Sequence, residues 1–227
     1  MYAMILAAGR GERMRPLTDT TPKPLLSVGG KPLIEHLLPR LSASGITRIV
    51  INHAHLGEQL PATLGDGSRF GVHIDYSAEP DGGLETGGGI INALPLLKSD
   101  PFIVINGDIW CDYPLSNLPH SFPGLAHLVL VDNPAHHLCG DFAIIDSQLT
   151  TDAEPRYTFS GIGVYRHRFF ADCTQSHLPL APLIRKHAAS ANVSAEHYAG
   201  EEWIDIGTPQ RLKSLDSRLC RGARNNV

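Results

Sequence analysis

The chain has 227 residues, of which 42% are hydrophobic and 19% are charged, and its formal net charge is −4. This slightly acidic balance lacks the basic footprint of general nucleic-acid binding, and no apolar run is long enough to span a membrane. Four scattered cysteines without a C-x-x-C pair predict neither a zinc site nor a disulfide framework, so we expect reduced thiols and a cytoplasmic location.

Apolar strands and helical patterns alternate in the first half of the chain. The predicted strands are 3–8, 46–52, 71–77 and 101–107, and the predicted helices are 32–45, 55–65 and 86–97. Pro32 suits the first turn of the first helix, and Pro39 should kink its interior. The alternation is typical of a Rossmann-like α/β fold with a doubly wound sheet and a ligand crevice at the carboxyl ends of the strands.

Shorter connections follow residue 112. The predicted strands here are 124–132, 141–146 and 157–165, followed by a helix near 179–190, a strand leading into 201–207 and a helix at 208–219. We expect this half to add antiparallel strands to the same sheet, which would then be mixed, and to form a second wall of the crevice. Because the sequence shows no repeat or flexible linker, we predict a single domain, 1–227, with two lobes.

The connection after the first strand, LAAGRGERMRPLTDTTPKPL (6–25), is unusually long, stiff and basic. Its cations are Arg10, Arg13, Arg15 and Lys23. Gly9 and Gly11 allow the backbone N–H groups to approach phosphate oxygens closely. The stretch lacks the end of a Walker A loop, and Met14 replaces the third glycine of a dinucleotide fingerprint. The cations therefore favour a polyphosphate ligand and disfavour a dinucleotide oxidoreductase.

The same stretch resembles the signature of sugar-1-phosphate nucleotidylyltransferases. The resemblance extends over most of the chain, because LETGGGI (84–90), VINGDI (104–109) and WIDIGTP (203–209) follow in the order of the family. It implies the fold of nucleotide-diphospho-sugar transferases, with a nucleotide-binding half at 1–112 and a sugar-binding half at 113–227. Two departures are Glu12, where the family usually has Thr, and Ser27-Val28, where many members have Pro-Val. We expect Glu12 to point away from the phosphates or to pair with a neighbouring arginine.

The resemblance implies roles for individual residues. Arg13 would contact the β- and γ-phosphates, and Lys23 would bridge the α-phosphate and the sugar phosphate, so these two are the predicted catalytic residues. Asp108 and Asp205 would bind Mg²⁺, although Asn-Gly-Asp is also turn chemistry and Asp205 could simply cap a strand. The predicted nucleotide-binding residues are Leu6, Ala7, Ala8, Gly9, Gly11, Glu12, Arg13, Lys23, Glu79 and Gly83, and the predicted sugar-binding residues are Asn106, Asp141 and Gly161.

The stretch EPDGGLETGGGI (79–90) is the predicted nucleoside platform. Asp81 should begin a turn that brings Gly83 to the edge of the base, and Thr86 should be the N-cap of the following helix. Gly87–Gly89 destabilise a helix, so they indicate the close approach of a ligand or of another backbone.

Within the family, the chain is most similar to short bacterial members that transfer UMP from UTP to N-acetylmuramic acid 1-phosphate in the recycling of the peptidoglycan cell wall. The competing member is mannose-1-phosphate guanylyltransferase, which shares LETGGGI (84–90). A non-catalytic sugar-nucleotide sensor is the alternative of another class. Such a sensor would be expected to lack Lys23 or a metal carboxylate, and this chain has both. The implied partners are small-molecule substrates, and the chain could be a monomer or a small homo-oligomer.

Overall fold

The computed structural model describes residues 1–80, 82–174, 176–200 and 202–224. The strands in these ranges are β1 (Tyr2–Leu6), β2 (Ser27–Val28), β3 (Lys31–Pro32), β4 (Arg48–His53), β5 (His73–Ala78), β6 (Phe102–Asn106), β7 (Ile109–Cys111), β8 (Ala126–Val131), β9 (Ala143–Ile145), β10 (Gln148–Thr150), β11 (Thr158–Tyr165), β12 (Val193–Tyr198) and β13 (Trp203–Asp205). The α-helices are α1 (Leu37–Ala43), α2 (Gln59–Leu64), α3 (Glu85–Ala93), α4 (Leu180–Ala188) and α5 (Pro209–Arg224).

Both halves of the chain contribute strands to one mixed sheet. Within the described residues its order is β5-β4-β1-β6-β11-β8-β12-β10-β9. The first four strands are parallel, and Met4 of β1 lies opposite Val50 on one side and Val104 on the other. Strand β11 runs antiparallel to both β6 and β8, whereas β12 is parallel to β8. The expected α/β sheet, with antiparallel strands added by the second half, is confirmed.

Apolar side chains cover both faces of this sheet. Leu38 of α1 and Leu60 of α2 pack in one cluster with Ile105 of β6, and all three are fully buried. Ile90 of α3 and Leu183 of α4 belong to the cluster on the opposite face. Each such side chain stabilises the fold by about 1.5–3 kcal/mol relative to an exposed one. No helix within the described ranges is long and apolar enough to cross a membrane.

A third, smaller apolar cluster connects the C-terminal helix to the basic connection that follows β1. Leu212 and Leu215 of α5 pack with Met14, Val28 and Ile206, and these side chains are buried. Strand β13, which precedes α5, pairs antiparallel with β7 in a separate two-stranded sheet. The C-terminal helix α5 therefore packs against the connection after β1, and β13 before it pairs with β7, the strand that follows β6.

The first predicted helix, 32–45, differs most from the structure. Pro32 ends β3, residues Leu33–His36 form a 3₁₀ helix, and α1 begins at Leu37. The expected helix start at Pro32 is therefore wrong. Pro39 lies in the first turn of α1, where backbone N–H groups have no acceptor within the helix, so the kink expected of an interior proline has no cause there.

Candidate active site

A cavity of about 650 Å³ opens at the carboxyl ends of β1, β4, β5 and β6. This is the edge at which open α/β sheets bind their ligands. The residues predicted from the sequence that line it are Leu6, Ala7, Ala8, Gly9, Gly11, Glu12, Arg13, Lys23, Glu79, Gly83, Asn106 and Asp108. The folded chain thus brings the whole predicted nucleotide set together with Asn106 and one predicted metal carboxylate.

Gly11 determines the path of the connection after β1. Its φ of +65° favours glycine, and a Cβ there would lie 2.8 Å from Cγ2 of Thr18. The buried Thr18 hydroxyl donates a hydrogen bond to the Gly11 carbonyl (2.8 Å), and the Met14 N–H donates to the same oxygen (2.8 Å). The backbone at the cavity floor is therefore held from two sides.

The basic connection divides its cations between the cavity and the surface. Arg10, Arg13 and Lys23 line the cavity, whereas exposed Arg15 pairs with Asp19 at 3.3 Å. Glu12 also lines the cavity, and within the described chain its carboxylate forms no ion pair, so the expected pairing with an arginine is not found. This wall of the cavity carries a surplus of positive charge.

Lys23 is the least exposed of these cations. Its side chain is 11% exposed, and Nζ donates to Oδ2 of Asp108 at 2.5 Å. A charge removed from water requires such a partner, because an unpaired buried charge is strongly destabilising. The Asp108 side chain remains 36% exposed and faces the cavity, so it can accept a further ligand.

Asp205 does not line the cavity itself but lies behind its wall. Strand β13 pairs with β7 so that Asp205 is opposite Ile109, and the next N–H, of Ile206, donates to the Asp108 carbonyl at 2.7 Å. Asp108 directly precedes β7 and Asp205 ends β13, so the pairing of these strands brings the two predicted metal ligands into neighbouring backbone positions. A Cβ at Gly207, which does line the cavity, would lie 3.0 Å from Oδ2 of Asp205 and 3.3 Å from Nη2 of Arg13.

A loop of the second half also reaches Asp205. Oδ1 of Asp205 accepts a hydrogen bond from Nη1 of Arg211 and lies 3.1 Å from Nε2 of His136, which belongs to this loop. Arg211 in turn lies on α5, and its Nη1 is 3.0 Å from the His136 ring nitrogen. The sequence analysis predicted neither contact. His136 is far from Asp205 in the sequence, whereas Arg211 is only six residues away, on the helix that follows β13.

Two predicted sugar-binding residues lie outside the cavity lining. The Asp141 carboxylate accepts the Phe159 N–H at 2.8 Å and contacts Nε2 of His137 at 3.1 Å. Gly161 has a φ of +81° in an irregular part of β11, where a Cβ would lie 2.7 Å from Nδ2 of Asn106. Gly161 therefore touches the cavity residue Asn106, whereas Asp141 fastens its own loop to β11.

Sequence reasoning missed the buried Asn52, which connects two walls of the cavity. Its Oδ1 accepts the Ala7 N–H at 2.8 Å, and its Nδ2 donates to Oε1 of Glu79 at 2.6 Å. The other Glu79 oxygen accepts the Leu84 N–H at 2.9 Å. Asn52 lines the cavity with 3% of its surface exposed. The available signal was a polar residue near the carboxyl end of an otherwise apolar strand.

The predicted platform differs in detail from the structure. Helix α3 begins at Glu85 with Leu84 before it, so Thr86 is inside the helix and its assignment as N-cap is wrong. Asp81 lies outside the described residues. Gly87–Gly89 face other protein atoms: a Cβ at Gly89 would lie 2.4 Å from Oε1 of Glu79. A Cβ at Gly88 would lie 2.0 Å from the Ser176 carbonyl oxygen, so the expected close approach of another backbone is found.

Comparisons with known proteins find similar sequences over most or half of the chain. N-acetylmuramate alpha-1-phosphate uridylyltransferase of Neisseria meningitidis serogroup B is 51% identical over 228 residues, which are 96% of this chain and 97% of that protein. Mannose-1-phosphate guanylyltransferase of Mycobacterium tuberculosis is 40% identical over 116 residues, 51% of this chain and 32% of that protein.

Solved structures show the same fold. The structure of a proposed glucose-1-phosphate thymidylyltransferase from Bacillus anthracis, in complex with a sucrose, matches with a TM-score of 0.82 at 23% identity. The match covers 97% of this chain and 96% of that one. The sequence model of the nucleotidyl transferase family matches residues 2–137. With the similarity to the Neisseria protein over nearly its whole length, this shows that the chain belongs to the nucleotidyl transferase family.

Proposed function

We propose that this protein transfers UMP from UTP to N-acetylmuramic acid 1-phosphate, releasing pyrophosphate and forming the UDP-sugar, in the recycling of peptidoglycan in the cytoplasm. The observation that carries the proposal is the pairing of Lys23 with Asp108 at 2.5 Å in a cavity also lined by Arg10 and Arg13. The 51% identity to the Neisseria uridylyltransferase supports the choice of base and sugar. The four cysteines are free, which suits a reducing compartment.

The chemistry requires charge compensation rather than a general base. A sugar phosphate is already anionic near neutral pH, so its oxygen attacks the α-phosphorus without losing a proton. The bond to the β-phosphate oxygen breaks, and pyrophosphate leaves with the electron pair. Arg13 and Lys23 would offset the charge of the triphosphate and of the leaving pyrophosphate, and the backbone around Gly11 would hold the phosphates in line.

The donor set fits a Mg²⁺ ion as part of the proposal. Asp108, directly before β7, and Asp205, at the end of the paired strand β13, offer hard carboxylate oxygens, which are the ligand type that Mg²⁺ prefers. No group of three or more candidate ligand side chains occurs in the described ranges, so the remaining ligands would be phosphate oxygens and water. When bound, the ion would neutralise phosphate charge and orient the triphosphate. Each carboxylate is held in place by a cation: Lys23 pairs with Asp108, and Arg211 pairs with Asp205.

The two alternatives are a mannose-1-phosphate guanylyltransferase and a non-catalytic sensor, and the pyrophosphate assay described below distinguishes both from the proposal. The similarity to mannose-1-phosphate guanylyltransferase supports GTP and mannose 1-phosphate as the second substrate pair, though over about half of the chain. A non-catalytic sensor is disfavoured because Arg13, Lys23 and Asp108 all line one cavity.

Pyrophosphate release from UTP, GTP, CTP or dTTP, measured against a panel of sugar 1-phosphates with and without Mg²⁺, tests the proposal. We expect turnover to be fastest with UTP and N-acetylmuramic acid 1-phosphate and to stop when the metal is chelated. Faster turnover with GTP and mannose 1-phosphate would establish the alternative. Binding of nucleotide without pyrophosphate release from any pair would indicate a sensor.

A further inference from the structure

A short segment of the second half is fastened to the nucleoside platform by its backbone. This segment, residues 176–178, precedes α4. The Gly88 N–H donates to the Leu178 carbonyl at 3.0 Å, and the Leu178 N–H donates to the Leu84 carbonyl at 3.0 Å. Hydrogen bonds in both directions hold the 176–178 segment against the start of α3.

The glycines of α3 make this contact possible. A Cβ at Gly88 would lie 2.0 Å from the Ser176 carbonyl oxygen, and one at Gly87 would lie 2.8 Å from the Leu178 carbonyl oxygen. Both distances are too short for any other residue without displacement of backbone. Glycine in a helix destabilises it by about 1 kcal/mol relative to alanine, so the close contact offsets a real disadvantage.

The result of this contact is the position of His177. Its residue lines the same 650 Å³ cavity as Gly82, Gly83 and Thr86, and its side chain is exposed. The N–H of the neighbouring Leu178 is hydrogen-bonded to the Leu84 carbonyl, so His177 lies next to the predicted platform, 79–90, at the cavity. Within the described chain the His177 side chain forms no hydrogen bond or ion pair, so both its ring faces and its nitrogens are available to a ligand.

We propose that His177 contacts the nucleoside of the bound nucleotide and contributes to the selection of the base. This inference rests on the proposed function and on the predicted nucleoside platform, 79–90, at which the base would lie while the cations hold the phosphates. A flat imidazole can stack on a base, and its neutral form offers one hydrogen-bond donor and one acceptor. His177 thereby extends the nucleotide site to a segment outside all of the sequence motifs.

Titration calorimetry of the full chain with Mg²⁺, using UTP and inorganic tripolyphosphate as separate ligands, tests the contact. In His177→Ala we expect the dissociation constant of UTP to rise about tenfold, as when a base loses an aromatic contact. The dissociation constant of tripolyphosphate should stay within about twofold, because that ligand has no nucleoside. The KM for UTP should rise in proportion with little change in kcat, the sign of a contact present before and during the reaction.

His73→Ala is the matched control, because His73 is an exposed histidine at the start of β5, outside the cavity lining. It should leave both dissociation constants unchanged. Gly88→Ala is an independent second variant: its methyl group must displace the 176–178 segment, so it should reproduce the selective loss of UTP binding. If Gly88→Ala does not fold, the comparison between the two histidine variants still decides.

Unchanged UTP binding in His177→Ala would overturn the contact, and so would an equal loss of UTP and tripolyphosphate binding. Failure of the proposed function has a different signature. In that case the wild-type protein would bind UTP no more tightly than tripolyphosphate and would release no pyrophosphate from UTP with any sugar 1-phosphate. That result would overturn the assignment of the platform, and with it the role of His177.

Discussion

The substitution Asn52→Ala should destabilise the fold and loosen the nucleotide site together. Among the described residues, Asn52 is the only side chain that contacts both the Ala7 N–H, in the connection after β1, and the Glu79 carboxylate of the predicted platform. Alanine would leave a buried N–H without its acceptor and a carboxylate oxygen without its donor. Through Glu79 the change would also reach the Leu84 N–H.

The magnitude follows from these two contacts. An unsatisfied buried donor costs about 1–3 kcal/mol, and a hydrogen bond to a charged group contributes about 1.5–3 kcal/mol. Because the cavity admits water to part of Glu79, we expect a total loss of about 2–4 kcal/mol in the free energy of unfolding. Asn52→Asp keeps an acceptor for Ala7 but sets a second carboxylate against Glu79, so it should be at least as harmful at neutral pH.

Urea unfolding of Asn52→Ala and of a control, Asn92→Ala, measures the effect. Asn92 also donates two hydrogen bonds through Nδ2, to Ser77 Oγ at 3.0 Å and to the Ala78 carbonyl at 3.1 Å, but it is exposed. Water can replace those bonds, so the control should change stability by about 0.5 kcal/mol or less. An Asn52→Ala variant as stable as this control, with an unchanged KM for UTP, would refute the reasoning.

Three further predictions use the same structure. Lys23→Ala should lower kcat in the pyrophosphate assay by about 10²–10³-fold. The free energy of unfolding should fall by only about 1–2 kcal/mol, because the Asp108 partner is partly exposed. Normal turnover would contradict the assignment of Lys23 as a catalytic residue. Chelation of divalent ions should abolish turnover, and added Mg²⁺ should restore it; turnover that persists would contradict the metal site. The His127 side chain, together with the Tyr113 hydroxyl, holds the pKa of Glu196 below its usual 4.5, so ionised Glu196 stabilises the fold above that pH and the contribution is lost as the pH falls through the folded pKa. Unfolding free energies measured down to acidic pH should therefore decline less steeply in Glu196→Gln than in the wild type, and parallel curves would contradict this.

The features predicted well from the sequence are those encoded by neighbouring residues. The strand positions follow from short apolar runs between turn residues, and the cavity edge follows from the parallel order of those strands. The cations of the connection after β1 occur within one stretch, so their convergence needs little information about the rest of the fold. Arg15 is the exception: it belongs to the same basic stretch of sequence, but its side chain points to solvent and pairs with Asp19.

The features that sequence reasoning missed depend on contacts between distant residues. Asn52 is an ordinary polar residue in the pattern, and its role appears only when β4 sets it between Ala7 and Glu79. The start of α3 shows the same limit. A glycine run indicates that something comes close to the helix, but it cannot identify the carbonyl of Ser176, which comes from the far half of the chain.

The residues proposed to bind phosphate and those proposed to contact the base come from different parts of the chain. The family model matches residues 2–137, which include Arg13, Lys23 and Asp108. In the proposed function these groups act on phosphates that all nucleotide donors share. Asp205, its partner Arg211 and the 176–178 segment, which packs against α3, all lie beyond that range. A motif of phosphate-binding residues therefore identifies the class of reaction but carries no information about the base. We therefore expect discrimination between UTP and GTP to depend on the predicted platform, 79–90, together with side chains such as His177, whose place in the cavity depends on how the second half folds onto the first.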